Sequence, residues 1–366
     1  MKTSHETFMK EAILEAEKGV GFVSPNPAVG AVIVRSGSII ARGYHAEYGG
    51  PHAEVNALEK AGTAARGAAM YVTLEPCARE GKTPACTDVI RAAGIRRVYF
   101  GMNDPNPVMA GGAEVLNQAG IKATGPILEN RCRQLNQPFI KMHQHGKPYI
   151  TAKWAMTLDG KIAARSADSQ WISSAGSRKE VHVLRAHHDA VAVGKNTVLA
   201  DNPMLTARNV GKVRQPVRIV FDSGCTVSPT ANLIRTATTT PVMVLTTTQA
   251  PQQATARLAE AGCEVLICRS SKGQVSIPDA LNRLARRGIS SVLVEGGSRL
   301  LGTFFDNKQV DCSQVYISPD IIGGKNALPP VGGLGKARMI HRLTPLHWKT
   351  EYRNKNIVVE SVYREY

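Results

Sequence analysis

The sequence predicts an α/β protein built as two consecutive domains, and three observations carry that prediction. Its 366 residues suffice for two domains of ordinary size, each with its own core. Apolar runs of strand length alternate with segments of helical period through both halves, the pattern of layered α/β folds. Between about Asn136 and Tyr149 the pattern lapses into Gln, His, Gly, Lys and Pro. That stretch reads as a solvated linker, with His143, His145 and Lys147 as solvent-facing side chains rather than a metal site. The boundary falls near Gly146, giving expected domains of 1–146 and 147–366.

The elements follow in order. Phe8, Met9, Ala12, Ile13 and Ala16 recur with helical period, and Gly19 and Gly21 end that helix. Gly30 to Val34 and Ser38 to Gly43 flank Arg35-Ser36-Gly37 as a hairpin. A helix opens at Pro51 and stops at Gly62, Ala69 to Leu74 is a strand, Pro84 to Ala93 a helix, and Arg97 to Gly101 a strand. The second half restarts with strand Tyr149 to Met156 and a helix whose start shows a capping box, Ser177 with Glu180. Strands follow at Asp189–Val193, Val217–Asp222, Val242–Thr246, Glu264–Cys268, Ser291–Glu295 and Asn356–Val362, with a helix at Pro278–Arg287. Thr236–Thr240 and Thr246–Gln253 read as surface connections.

Composition narrows the function. Hydrophobic content of 43% and charged content of 20% describe a globular protein. No apolar run approaches a membrane span, and no secretory core opens the chain. Seven cysteines form no disulfide ladder. Cys132, Cys225, Cys263, Cys268 and Cys312 read as small buried side chains, and free thiols without an export signal point to the cytoplasm. The net charge of +16 is dispersed, and aromatic content is only 5%. A single-strand nucleic-acid binder would interleave aromatics with a basic groove, so small anionic metabolites are the better match.

Three pieces carry metal chemistry. Pro51-His52-Ala53-Glu54 opens a helix, Glu75-Pro76-Cys77 follows a strand, and Cys86 begins another helix nine positions later. One imidazole and two thiolates suit tetrahedral zinc, and three protein ligands leave the fourth position for water, whose pKa zinc lowers toward neutrality. Cys86 at a helix start should ionise readily. Glu54, two residues from a ligand, is placed to carry the proton between water and a leaving amine. Zinc deaminases of bases carry His-x-Glu and then Pro-Cys-x-x-Cys. Here eight residues separate the cysteines, which departs from the short-spaced nucleic-acid deaminases. A closed structural zinc site would need a fourth ligand, for which Cys132 is the only nearby candidate.

With these motifs the chain resembles the bifunctional riboflavin-biosynthesis deaminase–reductases over nearly its whole length. The first half matches in Pro25-Asn26-Pro27-Ala28-Val29-Gly30, His52-Ala53-Glu54, Thr73-Leu74-Glu75-Pro76-Cys77, Gly81-Lys82-Thr83-Pro84 and Asp104-Pro105-Asn106-Pro107. The second matches in the run from Lys153 to Lys161, Trp171-Ile172-Ser173, Val193-Gly194, Asp201-Asn202-Pro203 and Val294-Glu295-Gly296-Gly297. The resemblance implies a cytidine-deaminase-like three-layer domain followed by a dihydrofolate-reductase-like α/β domain. It implies removal of the 2-amino group of 2,5-diamino-6-(ribosylamino)-4(3H)-pyrimidinone 5'-phosphate, then NADPH-dependent reduction of the ribosyl group to a ribityl chain. His52, Cys77 and Cys86 would hold zinc and Glu54 would be the proton shuttle. Asn26, His45, Lys82 and Asp104 would line the deaminase pocket, Lys82 as a phosphate partner. A solvated Lys82 and a merely turn-forming Asn26 stay open as alternatives.

No G-x-G-x-x-G occurs, so an ordinary dinucleotide-binding unit is not expected. Strand Ser291–Glu295, Gly296-Gly297 and a following helix offer instead a start whose amides could hold a pyrophosphate. Under the resemblance, Ala155, Trp171, Thr197, Asp201, Ser223 and Gly297, Ser298, Arg299, Leu300, Leu301, Gly302 and Thr303 would face NADPH. Ser169, Arg185, Leu205, Arg208 and Glu295 would face the substrate, with both arginines suited to its phosphate. Lys153 and Asp201 are the catalytic candidates for polarising or protonating the opened sugar, and Trp171 could equally be a core or interface aromatic.

Two departures stand out. Family members usually carry Ser-His after the first cysteine, where this chain has Ala78-Arg79, and Gly-x-Gly where it has Gly111-Gly112-Ala113. The expected partners are phosphorylated pyrimidines, not nucleic acid or membrane, with homo-oligomerisation left open. Two competing readings remain: a monofunctional reductase with a scaffold deaminase domain, and a nucleic-acid base deaminase.

Overall fold

Ser4 begins the first helix by accepting the amide of Thr7, so α1 (His5–Glu17) starts on a side-chain cap. Its buried residues Phe8, Met9, Ala12, Ile13 and Ala16 form one face against the first sheet. In chain order there follow β1 (Gly30–Arg35), β2 (Ser38–Tyr44), α2 (Ala53–Ala61), β3 (Ala69–Val72), α3 (Cys86–Ala92) and β4 (Arg97–Phe100). Then come α4 (Gly112–Gln118), β5 (Lys122–Thr124), α5 (Glu129–Leu135) and α6 (Gln137–His145). The sheet order is β2-β1-β3-β4-β5, antiparallel at β1 and parallel from β3 to β5. Ala31 to Ile33 are fully buried, as expected of a strand covered on both faces.

This computed structural model describes residues 4–81, 84–166, 168–211 and 213–366. The chain divides into two units, residues 1–146 together with Tyr366, and residues 147–365.

The second unit begins with β6 (Tyr149–Met156), α7 (Ala175–His187), β7 (Ala190–Gly194), α8 (Lys195–Asp201), β8 (Val217–Phe221), α9 (Asn232–Arg235) and β9 (Val242–Thr247). It continues with α10 (Gln252–Glu260), β10 (Glu264–Cys268), β11 (Ser270–Ser271), β12 (Gln274–Val275), α11 (Ile277–Ala285), β13 (Ser291–Gly296) and α12 (Ser298–Asp306). The last strands are β14 (Cys312–Ile317), β15 (His347–Arg353) and β16 (Asn356–Val362). Nine strands form one sheet in the order β10-β9-β8-β7-β13-β6-β14-β16-β15. The ladder is parallel as far as β14, and β16 and β15 then run antiparallel. Helices such as α11 close its faces, burying Ile277, Ala280, Leu281 and Leu284, each large side chain contributing about 1.5–3 kcal/mol.

Three expectations are corrected. The segment read as a solvated linker is helix α6, because Phe139 and Ile140 supply a buried apolar face that its polar neighbours masked. His143 and His145 are exposed on it. Helix α7 starts one turn earlier than Ser177 suggested. Its cap is Ser174, whose hydroxyl accepts from the Ser177 amide, while the buried Ser177 hydroxyl donates to Asn356 Oδ1 at 2.8 Å. Thr246 and Thr247 are not surface residues but the buried end of β9, where both hydroxyls donate to the Ser223 carbonyl. No expectation covered β14 or β15; His347 to Tyr352 of β15 are exposed on both faces, so no buried alternation marks it as a strand.

Candidate functional sites in the two units

In the first unit three donors converge. His52 is the N-cap of α2, extended at φ −70° and ψ 163°, and its ring faces the thiols rather than capping the helix. Cys77 lies in the loop after β3, and Cys86 is the first residue of α3. The Cys86 amide donates to Cys77 Sγ at 3.1 Å, fixing one cysteine on the other's helix start. His52 Nδ1 is 3.1 Å from Cys86 Sγ and 3.8 Å from Cys77 Sγ. All three ligand atoms lie within 4.8 Å of one another. A tetrahedral zinc with ordinary bond lengths separates nitrogen from sulfur by about 3.6 Å and sulfur from sulfur by about 3.8 Å. The donor set therefore fits zinc in chemistry and in spacing. Cys132 belongs instead to the buried core, and among the described residues no fourth His, Cys, Asp or Glu joins the group.

Charge in this cluster is shared unequally. The hydrogen bond from Cys86, with help from His52, pulls the Cys77 thiol down to about 4. The Cys86 thiol is pushed up, by its bond to Cys77 and by burial. At Cys86, the neighbouring thiol and burial oppose the ionisation that its place at a helix start favours. Glu54, in the first turn of α2, is buried, and that burial raises its carboxyl.

Asn26 and His45 form a chain at the same site. His45 Nδ1 pairs with the Pro51 carbonyl at 2.9 Å and Nε2 with Asn26 Nδ2 at 3.2 Å, while burial lowers the imidazole. The neutral ring that donates from Nδ1 and accepts at Nε2 satisfies both contacts. The His45 and His52 rings meet edge to face at 5.5 Å. Asp104 is pushed up to about 6, mainly by burial, and feels Glu75, Cys77 and Glu54 nearby. Lys82 lies outside the described residues. Arg79 is exposed, and Ala78 donates its amide to the Met109 carbonyl at 2.9 Å.

Two supporting residues escaped the sequence reading. Glu75 is buried and accepts from the amides of Asp104 and Ala113, tying the strand end that leads to Cys77 onto the loop that carries Asp104. Asn136 clamps Ala28 by accepting from its amide at 2.8 Å and donating to its carbonyl at 3.0 Å, which anchors the Asn26 loop. The signal for Glu75 was its place within the motif. Nothing local marked Asn136. Gly112 also acquires a reason, since a Cβ there would lie 1.8 Å from the Pro76 carbonyl oxygen beside Cys77.

In the second unit a cavity of about 1230 Å³ opens over the ends of the parallel strands. Ala155, Trp171, Thr197, Asp201, Gly297, Ser298, Arg299, Leu301 and Thr303 line it, as do Lys153, Ser169, Arg185, Leu205, Arg208 and Glu295. Ser223 and Leu300 line an adjoining recess that shares Thr197, Gly297, Arg299 and Thr303. Gly302 lines neither; a Cβ there would strike the Gly332 backbone, so it serves packing of α12 on residues 332–333. Gly297 caps α12 with φ 74°, a conformation that L side chains rarely adopt, and a Cβ would lie 3.0 Å from Thr197 Oγ1. The first turn of α12 is thereby left open to the cavity, a cradle that fits a pyrophosphate.

The polar groups of the cavity are unequal too. Arg185 binds Glu295 with both arms, Nε to Oε1 at 2.5 Å and an Nη to Oε2 at 2.9 Å, and gives its other nitrogen to the Thr206 carbonyl at 3.1 Å. Three of its five N–H groups are thus engaged within the protein, and Arg185 lines the cavity. Arg208, exposed at the cavity wall, keeps its charge facing outward and donates to Thr206 Oγ1. Burial pushes Glu295 up, yet Arg185 and Lys153 outweigh it and hold the carboxyl low. Burial lowers the Lys153 amine, opposed by Glu295. Asp201 ends α8, its carboxyl raised by burial, and accepts from Ser169 Oγ at 3.5 Å. Trp171 is 66% exposed with the Arg178 guanidinium 4.3 Å from its ring centre, which rules out the core alternative. His182 and Arg178 also line the cavity and were missed, for neither sits in a distinctive local motif.

Comparison with known proteins covers both units. Residues 2–102 match the family described as the cytidine and deoxycytidylate deaminase zinc-binding region, and residues 148–354 match the RibD C-terminal domain. The chain is 40% identical over 357 residues to riboflavin biosynthesis protein RibD of Actinobacillus pleuropneumoniae, covering 97% of this chain and 94% of that protein. It is 39% identical over 331 residues to the RibD protein of Escherichia coli K12, covering 87% and 88%. A solved structure from Thermotoga maritima, a diaminohydroxyphosphoribosylaminopyrimidine deaminase/5-amino-6-(5-phosphoribosylamino)uracil reductase, superposes with a TM-score of 0.85 at 38% identity, covering 98% of each chain. Acinetobacter baumannii RibD superposes with a TM-score of 0.88 at 33% identity, covering 98% of this chain and 99% of that one.

Proposed function

From the premise that this chain belongs to the bifunctional riboflavin-biosynthesis deaminase–reductase family, we propose how its own residues divide the two reactions. It is a multifunctional enzyme, hydrolase and oxidoreductase, and its cofactors are zinc and NADPH. Residues 1–146 carry the deaminase and residues 147–366 the reductase. The substrate is 2,5-diamino-6-(ribosylamino)-4(3H)-pyrimidinone 5'-phosphate. The setting is the cytoplasm, which suits seven cysteines left as free thiols, and no helix among the described residues is long and apolar enough to cross a membrane.

The convergence of His52, Cys77 and Cys86 beside a buried Glu54 is the observation that carries the deaminase reading. Zinc, when bound there, supplies a Lewis acid that brings water toward ionisation near neutral pH. Glu54 moves the proton: its burial-raised carboxyl can take one from the attacking water and return it to the departing amine as the C2–N bond breaks. The net change is water in and ammonia out. Asn26, held by His45 and by the Asn136 clamp on Ala28, orients the pyrimidine from the loop before β1, at the same sheet end as Cys77. Arg79 is exposed and, among the described residues, joins none of the contacts between His52, Cys77 and Cys86, so the Ala78-Arg79 departure supplies no support for a scaffold reading.

In the reductase unit NADPH supplies the hydride for the sugar's C1. The start of α12 at Gly297 holds the pyrophosphate, and Trp171 covers the cavity mouth. Lys153, a deep amine with a lowered pKa, and Asp201, a carboxyl with a raised one, are the two groups able to hold a transferable proton near the opened sugar. Arg208 and the remaining N–H groups of Arg185 take the substrate phosphate, and Arg185 also orients Glu295.

One experiment tests the whole reading. The diaminopyrimidine phosphate is supplied with NADPH, and ammonia and NADPH absorbance are followed together. Equal amounts of ammonia released and NADPH consumed are expected. NADPH oxidation with only the already deaminated substrate would reduce the first unit to a scaffold.

A further inference from the structure

Directly after Asp201 ends α8, the segment from Asn202 to Arg208 brings Leu205 and Arg208 to the cavity wall. It is neither helix nor strand, and among the described residues no backbone–backbone hydrogen bond involves Pro203 to Arg208. Two of its residues hold left-handed backbone, Asn202 at φ 41° and the buried Leu205 at φ 54°. Leucine rarely adopts that conformation, and it persists only where the surroundings impose it.

Groups from elsewhere in the unit do so, one backbone position after another. Asn232 donates its amide to Asn202 Oδ1 at 2.7 Å and its Nδ2 to the Asn202 carbonyl at 2.9 Å. Arg218 donates to the Met204 carbonyl at 3.4 Å, and Arg185 to the Thr206 carbonyl at 3.1 Å. Gln215 grips Ala207 from both sides, accepting from its amide at 2.9 Å and donating to its carbonyl at 2.9 Å. The Arg208 amide then donates to His182 Nδ1 at 3.2 Å.

Arg218 is the least expected of these anchors. It is fully buried on β8, its Nε has no partner among the described residues, and burial pushes the guanidinium down to about 10. Its other bonds go to Thr236 Oγ1 at 2.7 Å, the Thr236 carbonyl at 3.0 Å and the Thr240 carbonyl, all neutral acceptors. A charge buried on neutral acceptors gains the fold little, so what it holds is the reason for its place.

We propose that Gln215 and Arg218 are positioning residues of the reduction, holding residues 204–208 in the shape that presents Leu205 and Arg208 to the substrate. Neither lines the cavity. This rests on the reading that Arg208 takes the substrate phosphate. Ala207 directly precedes Arg208, so releasing it lets the Arg208 backbone drift and swings the guanidinium at the end of its long side chain. Displacement by about 1 Å from outside a site can cost up to about a hundredfold. The 5'-phosphate is remote from the reacting C1, so the loss falls on binding rather than on the chemical step.

Reduction of the deaminated intermediate by the zinc-loaded full chain tests this, together with calorimetric binding of the ribityl phosphate product. Arg208→Ala should raise KM at least about tenfold. Gln215→Ala removes an exposed side chain, leaves the fold intact, and should raise KM about fivefold with kcat within about twofold of the natural chain. Product binding should weaken by the same factor, while NADPH affinity and binding of the dephosphorylated product stay unchanged. Arg218→Lys keeps the buried charge but loses the fork that spans Met204 and Thr236, and should behave as Gln215→Ala does. Added to Arg208→Ala, Gln215→Ala should change KM less than about twofold, because the contact it aims is already gone. A KM unmoved by Arg208→Ala overturns the phosphate reading and the proposal with it. Where Arg208→Ala does raise KM, unchanged product binding in Gln215→Ala or in Arg218→Lys overturns the proposal alone. So does an equal loss for the phosphorylated and dephosphorylated products.

Discussion

Replacing Arg185 by methionine removes one arm of the most buried ion pair in the reductase unit while keeping roughly its volume. The Arg185 and Glu295 side chains are only 13% and 7% exposed, so solvent screens the pair little. Breaking such a pair from one side leaves a buried charge and costs about 3–5 kcal/mol. Lys153 still faces Glu295, which argues for the low end, about 3 kcal/mol. For a unit of this size that is a fall of about 6–12 °C in Tm. All three tryptophans, Trp154, Trp171 and Trp348, lie in the second unit, so urea unfolding followed by tryptophan fluorescence reads it alone. The pH dependence is also determined. In the natural chain Glu295 is held low, so its stabilisation is present above the unfolded value of about 4.3 and is lost as pH falls through the folded one. In Arg185→Met burial dominates and raises that carboxyl, so protonation favours the folded state. The deficit should narrow as pH falls from about 8 to about 5. Adding Glu295→Gln should recover most of the loss at neutral pH. A deficit below about 1 kcal/mol, flat with pH, would mean the pair behaves as a surface contact and would refute the reasoning.

Four further outcomes are expected. The chain should carry about one zinc, lost on His52→Ala, Cys77→Ala or Cys86→Ala because three ligands leave none to spare, and elemental analysis of folded protein reads this. Glu54→Gln should retain zinc and lose ammonia release by at least about a hundredfold while reducing the deaminated intermediate normally. Asp201→Ala should do the reverse, and loss of both activities from either change would point to one composite site. Gly112→Val should force the Asp104 loop off Pro76, where a Cβ has only 1.8 Å, and weaken zinc retention against a chelator without touching a ligand. Undiminished retention would show that the loop does not brace Cys77.

The deaminase ligands were legible because each sits at an element boundary that sequence marks well. His52 precedes a helix, Cys77 follows a strand, and Cys86 opens the next helix, so α/β layering alone places them near one sheet end. Their braces were not legible in the same way. Asn136 reaches Ala28 across 108 residues, and no local pattern encodes such a contact. The helix around Phe139 and Ile140 was hidden for a related reason: a short amphipathic helix rich in Gln, His and Lys has the composition of a linker until a core exists to bury its two apolar residues.

By itself the sequence determined the layered α/β class, the three donors with Glu54 beside them, and the absence of a glycine-rich dinucleotide fingerprint, all of which depend on residues close together in the chain. Tertiary structure alone decided which charges are spent. Arg185 and Glu295 are 110 positions apart and pair with each other, which braces the cavity wall and leaves Arg208 exposed there. It likewise decided that Glu54 is buried beside the three donors, which raises its carboxyl, and that β15 ends the sheet. The physical reason is common to all three. Desolvation and pairing act through space over a few ångströms, whereas propensity and periodicity act along the chain.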